Sequence, residues 1–171
     1  TMDKNSLFFW QPKTKYLHLF LDSPSSHFLL IFLNYIIWAF FFYVSYLLVK
    51  SNPNNFWVLF FATLISEIVE RLLKSKQLWR RPLFDYITHT PKGLVDGWYK
   101  SGSFPSGHTI KTTFFLLFIL QQHIIDPIIF LTVTLPLLGF RVLAGFHYPI
   151  DMVGGAIIGI IVWLTTFWII M

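Results

Sequence analysis

The chain has 171 residues, room for one domain, and is 55% hydrophobic and 20% aromatic. Only 12% of its residues are charged, against about 25% in a soluble domain, and its mean hydropathy is +0.61, so the composition is that of an integral membrane protein. The net charge of +5 comes with cations placed at the ends of apolar runs, which argues against a nucleic-acid surface and for anionic lipid or phosphate, while the absence of cysteine excludes disulfides and thiolate metal sites.

Residues 1–26 form an N-terminal interfacial segment. Leu7-Phe8-Phe9-Trp10 and Tyr16-Leu17-His18-Leu19-Phe20-Leu21 are too short to span, and Lys13 and Lys15 suit the headgroup level. The apolar core of a cleaved leader would lie nearer the start, so none is expected. A bilayer takes about 20 mostly apolar residues to cross. His27 to Val49 meets that, and Ser51-Asn52-Pro53-Asn54-Asn55 turns the chain. Phe56 to Leu73 is a second span whose last two turns carry Glu67, Glu70, Arg71 and Lys74. The pairs Glu67/Arg71 and Glu70/Lys74 are four apart with the acid first, the favourable order on a helix. A polar stretch follows, with an active-site loop over residues 74–107. Thr109 to Ile125, Ile128 to Phe140 and Met152 to Met171 are the third, fourth and fifth spans. Gly155 and Gly159 have a small-xxx-small spacing that permits close helix packing, although glycine is common in membrane helices for other reasons. The fold expected is all-α: a polytopic membrane helical bundle of about five transmembrane helices, with residues 27–171 as its catalytic domain.

Three polar clusters interrupt this apolar chain, and groups of that kind are costly near a bilayer unless they function. Lys74 leaves span two, His108 opens span three, and Arg141, His147 and Asp151 lie between spans four and five. Five crossings therefore put all three clusters on one face, with the N-terminus. In Pro105-Ser106-Gly107-His108, Ser106 is a good N-cap and Gly107 lets an anion approach the free amides of a helix start. His108 is placed to donate a proton to a leaving oxygen. An ordinary cap with an interfacial histidine fits those four residues equally well. Lys74 and Arg81-Pro82 offer a point charge and a planar fork to phosphate oxygens, or merely a cationic membrane edge. His147 lies at the mouth of a helix begun by Pro149, with Asp151 a turn deeper. A carboxylate on one ring nitrogen fixes the tautomer, and the other nitrogen can attack phosphorus to give a phosphohistidine.

The set resembles the type-2 phosphatidic acid phosphatase (PAP2) superfamily. Its signature is Lys, six residues, Arg-Pro; then Pro-Ser-Gly-His; then Ser-Arg, five residues, His, three residues, Asp. The chain shows Lys74 to Arg81-Pro82, Pro105-Ser106-Gly107-His108, and Arg141 with His147 and Asp151 at those spacings. Phe140 stands where the family has serine, which removes one hydrogen bond to phosphate. The resemblance implies that His147 is the nucleophile, Asp151 its orienting partner and His108 the general acid. It implies a phosphate cradle of Lys74, Arg81, Ser106, Gly107 and Arg141, with no metal and no other cofactor. The substrate would be a phosphorylated membrane lipid in the bilayer, with no nucleic-acid partner.

Among small bacterial members, overall likeness is nearest the lipid A 1-phosphatases. Undecaprenyl pyrophosphate and phosphatidylglycerol phosphate phosphatases are the alternatives, and a non-catalytic lipid or anion transporter is the alternative of another class. Trp79, Phe84, Tyr86, Trp98, Tyr99 and Phe104 would form an aromatic lip, with Lys92 and Lys100 available to a second phosphate. The positive-inside rule puts Lys4, Lys13, Lys15, Lys92 and Lys100 in the cytoplasm, against Lys50 opposite. Bacterial relatives place the site on the periplasmic face of the inner membrane, and that expectation is given the greater weight.

Overall fold

A computed structural model describes residues 7–11, 24–85 and 101–170. Among these residues, five α-helices follow a 3-10 turn, Leu7–Phe9: α1 (Pro24–Ser51), α2 (Asn55–Ser75), α3 (Gly107–Gln122), α4 (Pro127–Leu143) and α5 (Pro149–Ile170). A second 3-10 turn, Pro82–Asp85, lies between α2 and α3. Each helix matches one of the five expected apolar segments. Tyr16 to Leu21, Lys13, Lys15, Tyr86, Lys92, Trp98, Tyr99 and Lys100 lie outside the described residues.

The helix ends follow local chemistry. Pro53 cannot continue α1, and the Asn55 amide donates to the Leu48 carbonyl at 2.9 Å, which closes the α1–α2 turn. The Ser106 hydroxyl caps α3 by accepting from the Thr109 amide. At the other end of α3, His123 adopts a left-handed conformation (φ 53°) and donates to the Ile119 carbonyl at 2.8 Å. The Asp126 carboxylate accepts from the Ile128 amide at 2.7 Å, with Pro127 at the first helical position of α4.

Ile37, Val44, Leu48, Ala62, Phe114, Phe118, Phe130 and Val162 are fully buried where the helices meet. The outer faces are apolar as well: Phe42 is 71% exposed, Ile157 54% and Trp168 82%. A soluble protein of this size would not show so continuous an apolar surface. Ile31–Ser51 in α1 and Pro149–Trp168 in α5 are long and apolar enough to cross a membrane, and only 22% and 28% of these stretches is buried. They are therefore unlike the mostly buried core helices of a soluble domain, and point to a membrane protein.

The expected small-residue seam is where α5 meets α3. A Cβ at Gly155 would lie 2.8 Å from the Ser106 carbonyl oxygen, and one at Gly159 2.6 Å from that of Ile110. Only glycine permits this approach. The seam brings the starts of α3 and α5 together, and the Ser106 amide donates to the Asp151 carbonyl at 3.1 Å. Two sequence clusters are thereby joined at one end of the bundle.

Candidate active site

That end holds a cavity of about 470 Å³ lined by Lys74, Arg81, Gly107, His108, Arg141 and His147, with Asn34, Trp38, Glu67, Glu70, Arg71, Ser101 and Lys111 completing the wall. All three clusters converge on it. Lys74 comes from the last turn of α2, His108 from the first turn of α3 and Arg141 from the last turn of α4. His147 and Arg81 come from connecting segments. The Leu83 amide donates to the Gly145 carbonyl at 3.0 Å, which ties the Arg81 loop to the His147 loop.

His147 is 2% exposed, and its Nδ1 lies 3.0 Å from the carbonyl oxygen of Ser103. A carbonyl can only accept, so Nδ1 carries the proton and Nε2 the lone pair. Asp151 Oδ2 is 3.4 Å from the same Nδ1. The carboxylate expected to fix the tautomer is thus the more distant acceptor, and a backbone carbonyl is the nearer one. Both leave Nε2 free to act. Burial holds the His147 imidazole well below its usual titration range, reinforced by the Arg81, Arg141 and Lys74 cations and opposed by the Ser103 bond. Burial among cations thus favours the neutral form of the ring.

Asp151 is fully buried and held by three donors. The Tyr148 amide reaches Oδ2 at 2.7 Å, the Ser103 hydroxyl donates to the same oxygen, and the Trp79 indole donates to Oδ1 at 2.8 Å. The Tyr148 contact is the backward half of a capping box at the start of α5. Sequence reading placed Trp79 in an aromatic lip and passed over Ser103. The structure gives both to the Asp151 carboxylate. Phe9, in the N-terminal turn, packs edge-on against Trp79 and Tyr148 with ring centroids 5.4 Å away in each case. Part of the expected interfacial segment therefore backs the site.

His108 faces the cavity, and its buried Nε2 has no hydrogen-bond partner among the described residues. Its ring lies edge-on to that of Trp38, with centroids 5.8 Å apart. Arg81 is 3% exposed and donates to the Phe146 carbonyl at 3.2 Å and the Ser101 hydroxyl at 3.0 Å. Arg141 donates to Asn34 Oδ1 at 3.1 Å and lies over the Phe146 ring at 5.5 Å. Ser106 is absent from the cavity lining; fully buried, it serves the cap and the α3–α5 junction. Phe140 lies beside Arg141 in a small crevice with Leu33, Asn34 and Ile37.

The Glu70–Lys74 pair forms as the spacing predicts, and Glu67 Oε2 stands 3.8 Å from Arg71 Nε. Lys111 was not singled out from sequence. Its amine is 3% exposed, 2.7 Å from Glu67, 3.4 Å from Glu70 and 5.4 Å from the centre of the Trp38 ring. Its position three residues after His108, on the same helix face, was the available signal.

The sequence profile of the PAP2 superfamily matches residues 55–171, two-thirds of the chain. No curated protein and no solved structure matches it. The chain belongs to the PAP2 superfamily, whose members are phosphatases that generally act on lipid phosphates. The match begins at α2, so Asn34 and Trp38 reach the cavity from outside it.

Proposed function

We propose that this PAP2 superfamily member is a lipid phosphatase, spanning the membrane with its five helices and working without a metal through a phosphohistidine at His147 Nε2. One observation carries the reading. The lone-pair nitrogen of His147 and the unpartnered Nε2 of His108 line one cavity together with Lys74, Arg81 and Arg141.

The chemistry balances on these groups. Nε2 of His147 attacks phosphorus as the bond to the leaving oxygen breaks, and His108, protonated as the anionic substrate binds beside it, gives that oxygen its proton. Water then attacks the phosphohistidine, neutral His108 takes the water proton, and the phosphorus–nitrogen bond breaks to restore His147. Lys74, Arg81 and Arg141 carry the negative charge on the equatorial oxygens. Asp151 stabilises the imidazolium formed at His147 and, through Ser103 and Trp79, keeps the ring in place. Asn34 offers a substitute for the serine replaced by Phe140. Its oxygen is taken by Arg141, which leaves its amide nitrogen to donate to phosphate.

The substrate is proposed to be lipid A 1-phosphate, on the periplasmic face of a bacterial inner membrane, with undecaprenyl pyrophosphate and phosphatidylglycerol phosphate as competitors. The test is phosphate release from each of the three lipids by the full chain in detergent, with chelator present and His147→Ala as control. Fast release from lipid A with a dead variant supports the reading. Release that needs added magnesium overturns the metal-free mechanism. Binding of phosphate without any turnover points to an anion transporter.

A further inference from the structure

The phosphatase reading gives Glu70 no task, yet its position in the cavity is distinctive. Its carboxylate contacts the Lys74 amine and lies 3.4 Å from that of Lys111. A Cβ on Gly107 would collide with both Glu70 carboxylate oxygens. Gly107 is the first residue of α3, where free amides favour an oxyanion. A carboxylate of the chain itself therefore occupies the corner formed by Lys74, Lys111 and the start of α3. The Glu70 side chain is only 15% exposed, so it is packed there rather than hanging in solvent.

We infer that Glu70 is an internal competitor for the phosphate, which the substrate must displace from Lys74 and from the start of α3. The inference rests on the phosphatase reading for the identity of the incoming anion. Neighbouring charge makes the exchange feasible. When Glu70 swings off, Lys111 retains Glu67 at 2.7 Å, and Lys74 is released to the phosphate. A site that must first be vacated binds with an affinity reduced by the vacant fraction. The same factor applies to every anion, so weakly held, singly charged anions fall below useful occupancy while a doubly charged phosphate ester gains enough from the cations to enter. Glu70 thus sets the threshold of affinity for this corner and weakens inhibition by the free phosphate product.

An opposite role is open to the same residue: Glu70 could hold Lys74 in the orientation that phosphate needs. The two roles differ in sign. The experiment is calorimetric titration of the detergent-solubilised full chain with inorganic phosphate and with vanadate, using the unaltered protein, Glu70→Gln, Glu70→Ala and Glu67→Gln. Thermal unfolding of each variant shows that it is folded. Both Glu70 variants are expected to bind about tenfold more tightly, since a negative charge leaves the anion position. Glu67→Gln, which touches Lys111 and not Gly107, should change binding by less than about twofold. In turnover, Glu70→Gln should lower KM and the inhibition constant for phosphate together. Unchanged or weaker binding by both Glu70 variants overturns the inference and leaves the phosphatase reading standing. No anion binding by any of the folded proteins, the unaltered one included, overturns the cradle itself.

Discussion

The two walls of the cavity are built on different electrostatic plans. One wall, from the α3 start, the last turn of α4 and the connecting loops, presents Arg81, Arg141, His108 and His147 with Asp151 buried behind it. The other, from α2 and the face of α3, balances Lys74 and Lys111 against Glu67 and Glu70. The first wall gathers positive charge toward the cavity with its one carboxylate, Asp151, turned away behind the His147 ring. The second neutralises itself. In the proposed mechanism the first wall makes and breaks the bond to phosphorus, and Glu70 on the second is what the incoming anion must displace.

Substitutions should separate the walls, and the largest effect belongs to the first. His147→Ala should lower kcat by about 10⁴-fold or more while thermal unfolding is little changed; residual turnover near the unaltered level would assign the nucleophile elsewhere. His108→Ala should cost about 10²- to 10⁴-fold on a lipid phosphate. The loss should be far smaller on p-nitrophenyl phosphate, whose leaving group needs no proton. An equal loss on both would remove the general-acid role. Asn34→Ala is expected to reduce kcat/KM by about fivefold, one hydrogen bond's worth, and phosphate release assayed at low substrate would show it. Glu70→Gln, on the second wall, should instead tighten phosphate, so a change of sign between walls is the signature.

The pH profile sharpens the contrast. His147 must be neutral to attack, and its burial among cations lowers its pKa, so protonation sets in only at a pH below the ordinary imidazole range. The acid limb of kcat/KM that belongs to His147 should therefore fall below about pH 6.5. A limb above that value would show that the imidazole is not desolvated as the structure has it.

Much of the first wall was legible in sequence because its groups lie at helix boundaries, where proline, glycine and caps give position away. Pro149 announced the start of α5 and Ser106 that of α3, and a count of crossings put Lys74, His108 and His147 at one end. The supports of those groups were hidden for a physical reason. The Ser103 carbonyl that meets His147 is a backbone atom with no residue signature, and Trp79 reaches Asp151 across 72 residues. Asn34 meets Arg141 across 107 residues, through a packing of α1 on α4 that no local pattern encodes. Ser106 was legible in its first role: the motif gave the cap, and the hydroxyl accepts from Thr109 on its own helix, away from the cavity lining.

The bond from the Ser106 amide to the Asp151 carbonyl, with the glycine seam below it, has a consequence for how the chain can be rewired. His108 and His147 keep their separation because two helix starts are riveted to each other, whatever joins the far ends. The α3–α4 connection, His123 to Asp126, lies about 24 Å away along the sixteen residues of α3. New termini, an inserted tag or a longer linker should therefore be accepted at that distal turn, while a single added residue between Ser103 and His108 would unseat both histidines. The blueprint is a fixed clamp with a free tail, and its length is open to editing only at the tail.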